Sequence, residues 1–154
     1  IEYPSSANPQ QQNPENCSLS DWQQTFNVNV NGVFLGCQYA IKLMKEKGGS
    51  IVNIGSRSAL VGVPASAAYA ASKAAVNNLT RSVALYCANH AYHIRCNIIH
   101  PAAIDTPMWD KELGTDQKRE QCKSEFAKNI PLQKMGSADD IANAVILMRY
   151  SRLI

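Results

Sequence analysis

The apolar positions of this chain follow two periodicities, and their order along the sequence predicts most of its elements. Phe26, Val30, Val33, Phe34, Cys37, Ile41 and Met44 recur at steps of three and four, which sets them on one stripe of a helix running from Asp21 to about Lys47. Ser20 or Asp21 is placed to cap it, since a short side-chain oxygen accepts from amides left open in a first turn. Gly48-Gly49 ends the stripe, and Ser50 to Ser56 reads as a short β-rich run entering a loop. Ala67 to Asn89 is dominated by Ala, Leu and Val, contains neither Gly nor Pro, and predicts a second long helix. His93 to His100 reads as a buried strand that Pro101 closes. Residues 102–136 form a long excursion punctuated by Pro107, Gly114, Pro131 and Gly136, with a helical piece over Asp116 to Lys128. Ser137 caps a last helix whose apolar positions are Ile141, Val145, Leu147 and Met148. Residues 1–19, with Pro4, Pro9 and Pro14, predict a loop.

Helix, strand, helix, strand, excursion and helix, in that order, imply an α/β fold with parallel strands joined by right-handed crossovers. A parallel sheet has to be covered on both faces and paired along its edges. Two strands with three long helices leave much of that undone, so the pattern predicts part of a larger sheet.

Composition narrows the function classes. With 154 residues, 45% hydrophobic and 18% charged, the chain suits one modest core and a single domain. The net charge of +3 comes from Lys and Arg interleaved with Asp and Glu, so no basic stripe marks a nucleic-acid partner. Five widely spaced cysteines, with no CxxC and no Cys/His cluster, read as reduced thiols of a cytoplasmic protein and suggest no metal. No apolar run approaches the roughly 18 residues that a membrane-spanning helix needs, and no export signal is evident.

Chemistry concentrates on the second long helix. Tyr69 and Lys73 sit at i and i+4, on one face, where the ammonium can approach the phenol. A tyrosine ordinarily titrates near pH ~10, and a fixed positive charge favours phenolate, bringing the group into range for proton transfer near neutrality. Tyr-x-x-x-Lys alone occurs on many helices. Ser56 adds to it, because a residue where a strand enters a loop can point into the same cleft. Taken singly, Ser56 reads as a turn residue and Asn29 as a helix residue with a local hydrogen bond.

Together these residues carry a resemblance. In Asn29-Val30-Asn31-Gly32, Gly49-Ser50-Ile51-Val52-Asn53-Ile54-Gly55-Ser56, Tyr69-Ala70-Ala71-Ser72-Lys73 and Ile94-Arg95-Cys96-Asn97, by order and spacing as well as type, the sequence resembles the classical short-chain dehydrogenases/reductases over nearly its whole length. The resemblance implies a partial Rossmann-like, doubly wound parallel sheet: the catalytic portion of one domain. The N-terminal βαβ units with their Gly-rich fingerprint, and a last strand, are absent from the sequence, so the chain is expected to be cut at both ends.

By that resemblance Asn29, Ser56, Tyr69 and Lys73 are the catalytic set. Tyr69 is the acid/base, and Ser56 binds the substrate oxygen. Lys73 lowers the Tyr69 pKa and holds the nicotinamide ribose, and Asn29 supports a water that relays protons. Pro101, Ala102, Ile104 and Thr106 match the segment gripping the nicotinamide carboxamide of NAD or NADP, between which the sequence does not choose. Two departures stand out. Ala102 occupies the place of a usual Gly and has to fit a conformation open to it or shift the cofactor. Gly55 stands where Ser is common. Residues 105–136 correspond to a substrate lid, with Met108, Trp109, Leu113 and Phe126 as a candidate apolar wall.

The implied reaction is hydride transfer between a nicotinamide and a small-molecule secondary alcohol or ketone, such as a hydroxysteroid or a 3-oxoacyl group. The alternative is a truncated, inactive binding or dimerisation module. The helices at 21–47 and 69–89 correspond to those that pair copies in the family, and Ala70, Ala71, Ala74 and Ala75 permit close packing, so a homo-dimer or homo-tetramer is expected.

Overall fold

The computed structural model describes residues 12–113 and 117–150. Most of the loop expected over residues 1–19, and the tail from Ser151, lie outside the described residues. Within that loop, Asn13 turns the chain by accepting from the amides of Glu15 and Asn16 at 3.1 and 2.9 Å.

The first helix starts earlier than its pattern suggested. Helix α1 spans Leu19–Phe26, and its cap is Ser18, not Ser20 or Asp21. Ser18 alone keeps the extended backbone of a cap; its Oγ accepts from the Asp21 amide at 3.0 Å and donates to the Asp21 carboxylate at 2.7 Å. Nor is the helix continuous. Asn27–Asn31 form a π-helical turn, closed by a bond from the Gly32 amide to the Asn27 carbonyl, before α2 resumes over Gly32–Met44. The wider turn rotates everything downstream, so the stripe splits: Cys37 is buried, whereas Phe34 is 47% exposed.

Gly48 ends the helical run with φ +72°, its amide donating to the Met44 carbonyl at 2.8 Å. A Cβ there would lie 2.9 Å from the His93 carbonyl oxygen, so glycine is required for both conformation and space. Strand β1 (Gly49–Ile54), helix α3 (Ala67–Asn89) and strand β2 (Ile94–Ile99) follow, and β1 pairs parallel with β2 from Gly49↔Ile94 to Ile54↔Ile99. Both strands stop short of their apolar runs. Ser56 leaves β1 to cap a 3-10 turn over Arg57–Ala59, and His100 lies just past the end of β2.

The core sits between the sheet, α2 and α3. Cys37, Val83, Cys87, Ile94 and Cys96 pack there with Val33, Ile41, Met44, Ile51 and Leu79 around them. Asn53 points into the core from β1; its Nδ2 donates to Thr80 Oγ1 at 2.8 Å and lies 3.6 and 3.7 Å from the sulfurs of Cys37 and Cys96. The Cys37–Cys96 contact draws Cys37 down to about 6 and pushes Cys96 up. All five cysteines are free thiols.

The excursion is anchored at both ends. Ile104 bridges Gly136, with Asp105 N donating to Gly136 O at 2.8 Å and Gly136 N to Ala103 O at 2.9 Å. Between them lie a 3-10 turn (Pro107–Trp109), α4 (Asp110–Leu113) and α5 (Gln117–Ala127). Ser137 caps the last helix, α6 (Ala138–Tyr150), as its spacing predicts: its Oγ accepts from the Asp140 amide at 3.2 Å while its own amide donates to the Asp140 carboxylate at 2.7 Å. Arg95 ties the far end of α6 to β2, donating to the carbonyls of Met148 and Arg149 at 2.9 and 2.8 Å.

Candidate active site

The ends of β1 and β2 open onto the first turns of α3, and the polar residues singled out by sequence gather there. Lys73 is 2% exposed. Its ammonium lies 5.7 Å from the centre of the Tyr69 ring and donates to the Ile54 carbonyl, at the end of β1, at 3.0 Å. A lysine four residues along a helix reaches back over the preceding turn, which is why i+4 spacing sets cation beside ring. Burial pulls the Lys73 pKa below the usual lysine range, because little solvent is left to stabilise the charge. One hydrogen bond leaves two of its N–H groups without protein partners among the described residues.

Ser56 follows two residues after Ile54, buried, with extended backbone. Its Oγ accepts from the Ser58 amide at 3.1 Å. It is therefore a turn-capping residue; with that lone pair filled, its own proton is left to donate outward. Asn29 lies in the π turn, buried, and its bond is not local. Nδ2 donates at 3.0 Å to Ser72 Oγ, which donates at 2.7 Å to the Tyr69 carbonyl. Asn29 thus acts on the turn carrying Tyr69 and Lys73, and its own side-chain oxygen has no partner among the described residues.

The 101–106 segment leaves β2 at the same strand ends. Pro101 accepts from the Arg57 amide at 2.8 Å, joining the two strand exits. Ala102 is exposed and is not among the residues with positive φ, so it adopts an ordinary conformation in place of the usual glycine. The Ile104 amide and the Thr106 hydroxyl have no partner among the described residues. Beyond them, Leu113 is buried and Trp109 meets Phe126 edge-on at 4.9 Å, while Met108 faces solvent.

Several residues at the site carry little signal of their own in the sequence. Ser72 was visible only as part of Tyr-Ala-Ala-Ser-Lys. His100 was read as the end of a strand. The π turn had a signal in Asn-Val-Asn-Val-Asn, a run of poor helix formers within an otherwise helical stretch. Asp105 pairs with Arg119 and Lys123 of α5, both at 2.6 Å, and these partners hold its carboxyl below the usual range, Lys123 foremost. Arg119 also grips Asp110 at 2.5 Å.

Comparison with known proteins bears on the family and the fold. A family model described as enoyl-(acyl carrier protein) reductase matches residues 5–151. A 3-beta-hydroxysteroid dehydrogenase of Comamonas testosteroni is 45% identical over 102 residues, covering 66% of this chain and 40% of that protein. An NADP-dependent (R)-specific alcohol dehydrogenase of Lentilactobacillus kefiri is 37% identical over 130 residues, covering 83% and 50%. The ligand-free aldohexose dehydrogenase of Thermoplasma acidophilum superposes with a TM-score of 0.81 at 34% identity, over 90% of this chain and 56% of that one. The chain spans about half the length of the proteins it matches. With the motifs, their spatial grouping and these matches in agreement, the chain belongs to the short-chain dehydrogenase/reductase family of oxidoreductases.

Proposed function

We propose that this chain supplies the catalytic portion of an NAD(P)-dependent oxidoreductase that interconverts a secondary alcohol and a ketone. The observation that carries the reading is the buried Lys73, its ammonium at the Tyr69 ring and bonded to the strand end that leads to Ser56. Burying an ammonium is costly, and a module serving only for binding or dimerisation has no use for one here. When bound, the nicotinamide supplies or accepts the hydride. In the reducing direction the Tyr69 phenol gives its proton to the substrate oxygen, and Ser56, with Ser58 on its lone pair, donates to the same oxygen. Lys73 stabilises the phenolate left behind and offers its two open N–H groups to the cofactor ribose and to a water. Asn29 holds the turn through Ser72, and its free oxygen receives that water as the exit for protons. Pro101, Ala102, Ile104 and Thr106 fit the carboxamide end through the open Ile104 amide and Thr106 hydroxyl.

The Comamonas relative's name and the description of the matching family model support a hydrophobic substrate, a hydroxysteroid or a 3-oxoacyl group. Residues 105–136 act as its lid, with Trp109 and Phe126 as wall. The unbridged thiols support a cytoplasmic setting. Exposed Leu35, Tyr39 and Leu43 on α2 and Leu85 and Tyr86 on α3 support pairing with a second copy.

Tyr69→Phe in the full-length protein tests the mechanism. Removing the proton donor is expected to lower kcat by about 10²–10⁴ with the circular dichroism spectrum unchanged. Turnover retained near the unsubstituted level would sink it.

A further inference from the structure

His100 stands just past the end of β2, among residues given no role above, and it is closed around Ser56. Its Nδ1 lies 2.9 Å from the Ser56 carbonyl oxygen and 3.3 Å from the Ser56 amide nitrogen; its Nε2 lies 3.3 Å from Asn77 Oδ1 on α3. An imidazole nitrogen serves one of these partners at a time: protonated it donates to the carbonyl, unprotonated it accepts from the amide. The neutral ring therefore holds the Ser56 peptide in either tautomer. The Asn77 amide presents its oxygen or, turned over, its NH₂ to the other nitrogen. Through this ring the backbone of Ser56 is tied to the helix that carries Tyr69 and Lys73.

Gly55 is the counterpart. A Cβ at position 55 would lie 2.5 Å from His100 Nδ1, 2.8 Å from its Cε1 and 2.9 Å from Ile98 Cδ1. Gly55 is buried and does not have positive φ, so what it provides is room and not backbone freedom. This is the position where the sequence departs from the common serine, and the His100 ring fills the space that side chain would need.

We infer that His100 is a positioning residue for Ser56: it clamps the serine's peptide against α3 so that the hydroxyl is held for the substrate oxygen, and Gly55 admits the ring. The inference rests on the reading that Ser56 contacts substrate. Small displacements of a group that orients a reacting atom cost rate more than affinity.

The test is a substitution cycle on the full-length protein, read as kcat and KM. His100→Ala is expected to lower kcat about tenfold or more while the KM for the nicotinamide dinucleotide stays within about twofold. His100→Asn, which keeps a donor near the Ser56 carbonyl, recovers part of the loss and also serves if His100→Ala does not fold. Gly55→Ala lowers kcat by displacing the ring, and Gly55→Ala with His100→Ala is no worse than His100→Ala alone. A kcat for His100→Ala within about twofold of the unsubstituted protein, or losses that simply multiply in the double variant, overturns the inference. A second readout needs no turnover: the ¹⁵N resonance of His100 Nδ1 is expected to move on Gly55→Ala, and an unmoved resonance overturns the ring contact. Absence of turnover in the unsubstituted protein overturns the catalytic reading instead, and the inference falls with it.

Discussion

Helices α2 and α3 flank the same sheet and bury opposite chemistry. α3 turns Ser72, Lys73 and Thr80 inward among Ala68, Val76 and Val83, while α2 buries only Cys37 and leaves Leu43 82% exposed. Hydrophobicity alone would have reversed much of this. Each inward polar group of α3 has a partner: Ser72 on the Tyr69 carbonyl, Lys73 on that of Ile54, and Thr80 on that of Val76 while it accepts from Asn53. Phe34, Leu35, Tyr39 and Leu43 on α2, and Leu85 and Tyr86 on the outer side of α3, have no such cover among the described residues. What decides burial here is whether a group is partnered, and the polar side of the comparison lies where the chemistry is proposed.

The comparison breaks most sharply at Asn53. Asn53→Leu leaves Thr80 without its donor in the core and is expected to cost about 1–3 kcal/mol in urea denaturation. Adding Thr80→Val removes both partners and should return most of that loss. If Asn53→Leu alone is neutral, partnership is not what keeps α3 polar inside.

Lys73→Met sharpens the same point through pH. Because burial lowers the Lys73 pKa, the folded chain binds fewer protons than the unfolded one between the lowered value and the usual lysine range. Stability linked to this group therefore rises with pH across that window. Lys73→Met should abolish that rise in a comparison of denaturation midpoints, and an identical pH profile would remove the buried-charge argument.

The proposed lid provides a milder contrast, since it is fastened by partly buried ion pairs. Asp105→Asn is expected to speed amide hydrogen exchange across α5 about two- to fivefold, with a similar effect of 1 M salt on the unsubstituted chain. The lowered Asp105 pKa means that these pairs persist below the usual Asp range and are lost as pH falls through the folded value. The smallest effect belongs to the exposed stripe. Leu43→Ser should change monomer stability by no more than about 0.5 kcal/mol yet weaken the proposed self-association in sedimentation. A loss of monomer stability instead would mean that Leu43 is covered within the chain.

Much of the site was legible because it is written in local chemistry. The spacing of Tyr69 and Lys73 needs only a helix to become a shared face, and Ala67 to Asn89 could hardly be anything else. Ser137 and Asp140 likewise announce a cap. The start of α1 was misread because Ser18, Ser20 and Asp21 are all competent caps and only backbone geometry separates them. The π turn was hidden because a period of three and four tolerates one extra residue without breaking the stripe on paper.

The contacts that the sequence does not show share one property: they join residues far apart along the chain. Asn29 reaches Ser72, His100 reaches Ser56 and Asn77, and Asp105 reaches Arg119 and Lys123. Sequence by itself determined the order of elements and the parallel pairing, and it singled out Tyr69, Lys73 and Ser56 as the set proposed to carry the chemistry. These follow from periodicity and from motifs that act over one or two turns. Tertiary structure decided which polar atoms are buried and with whom, that Gly55 makes room for a histidine ring, and that Ala102 fits without strain. Hydrogen bonding and steric exclusion depend on angstrom distances between elements, and no pattern along one chain records those.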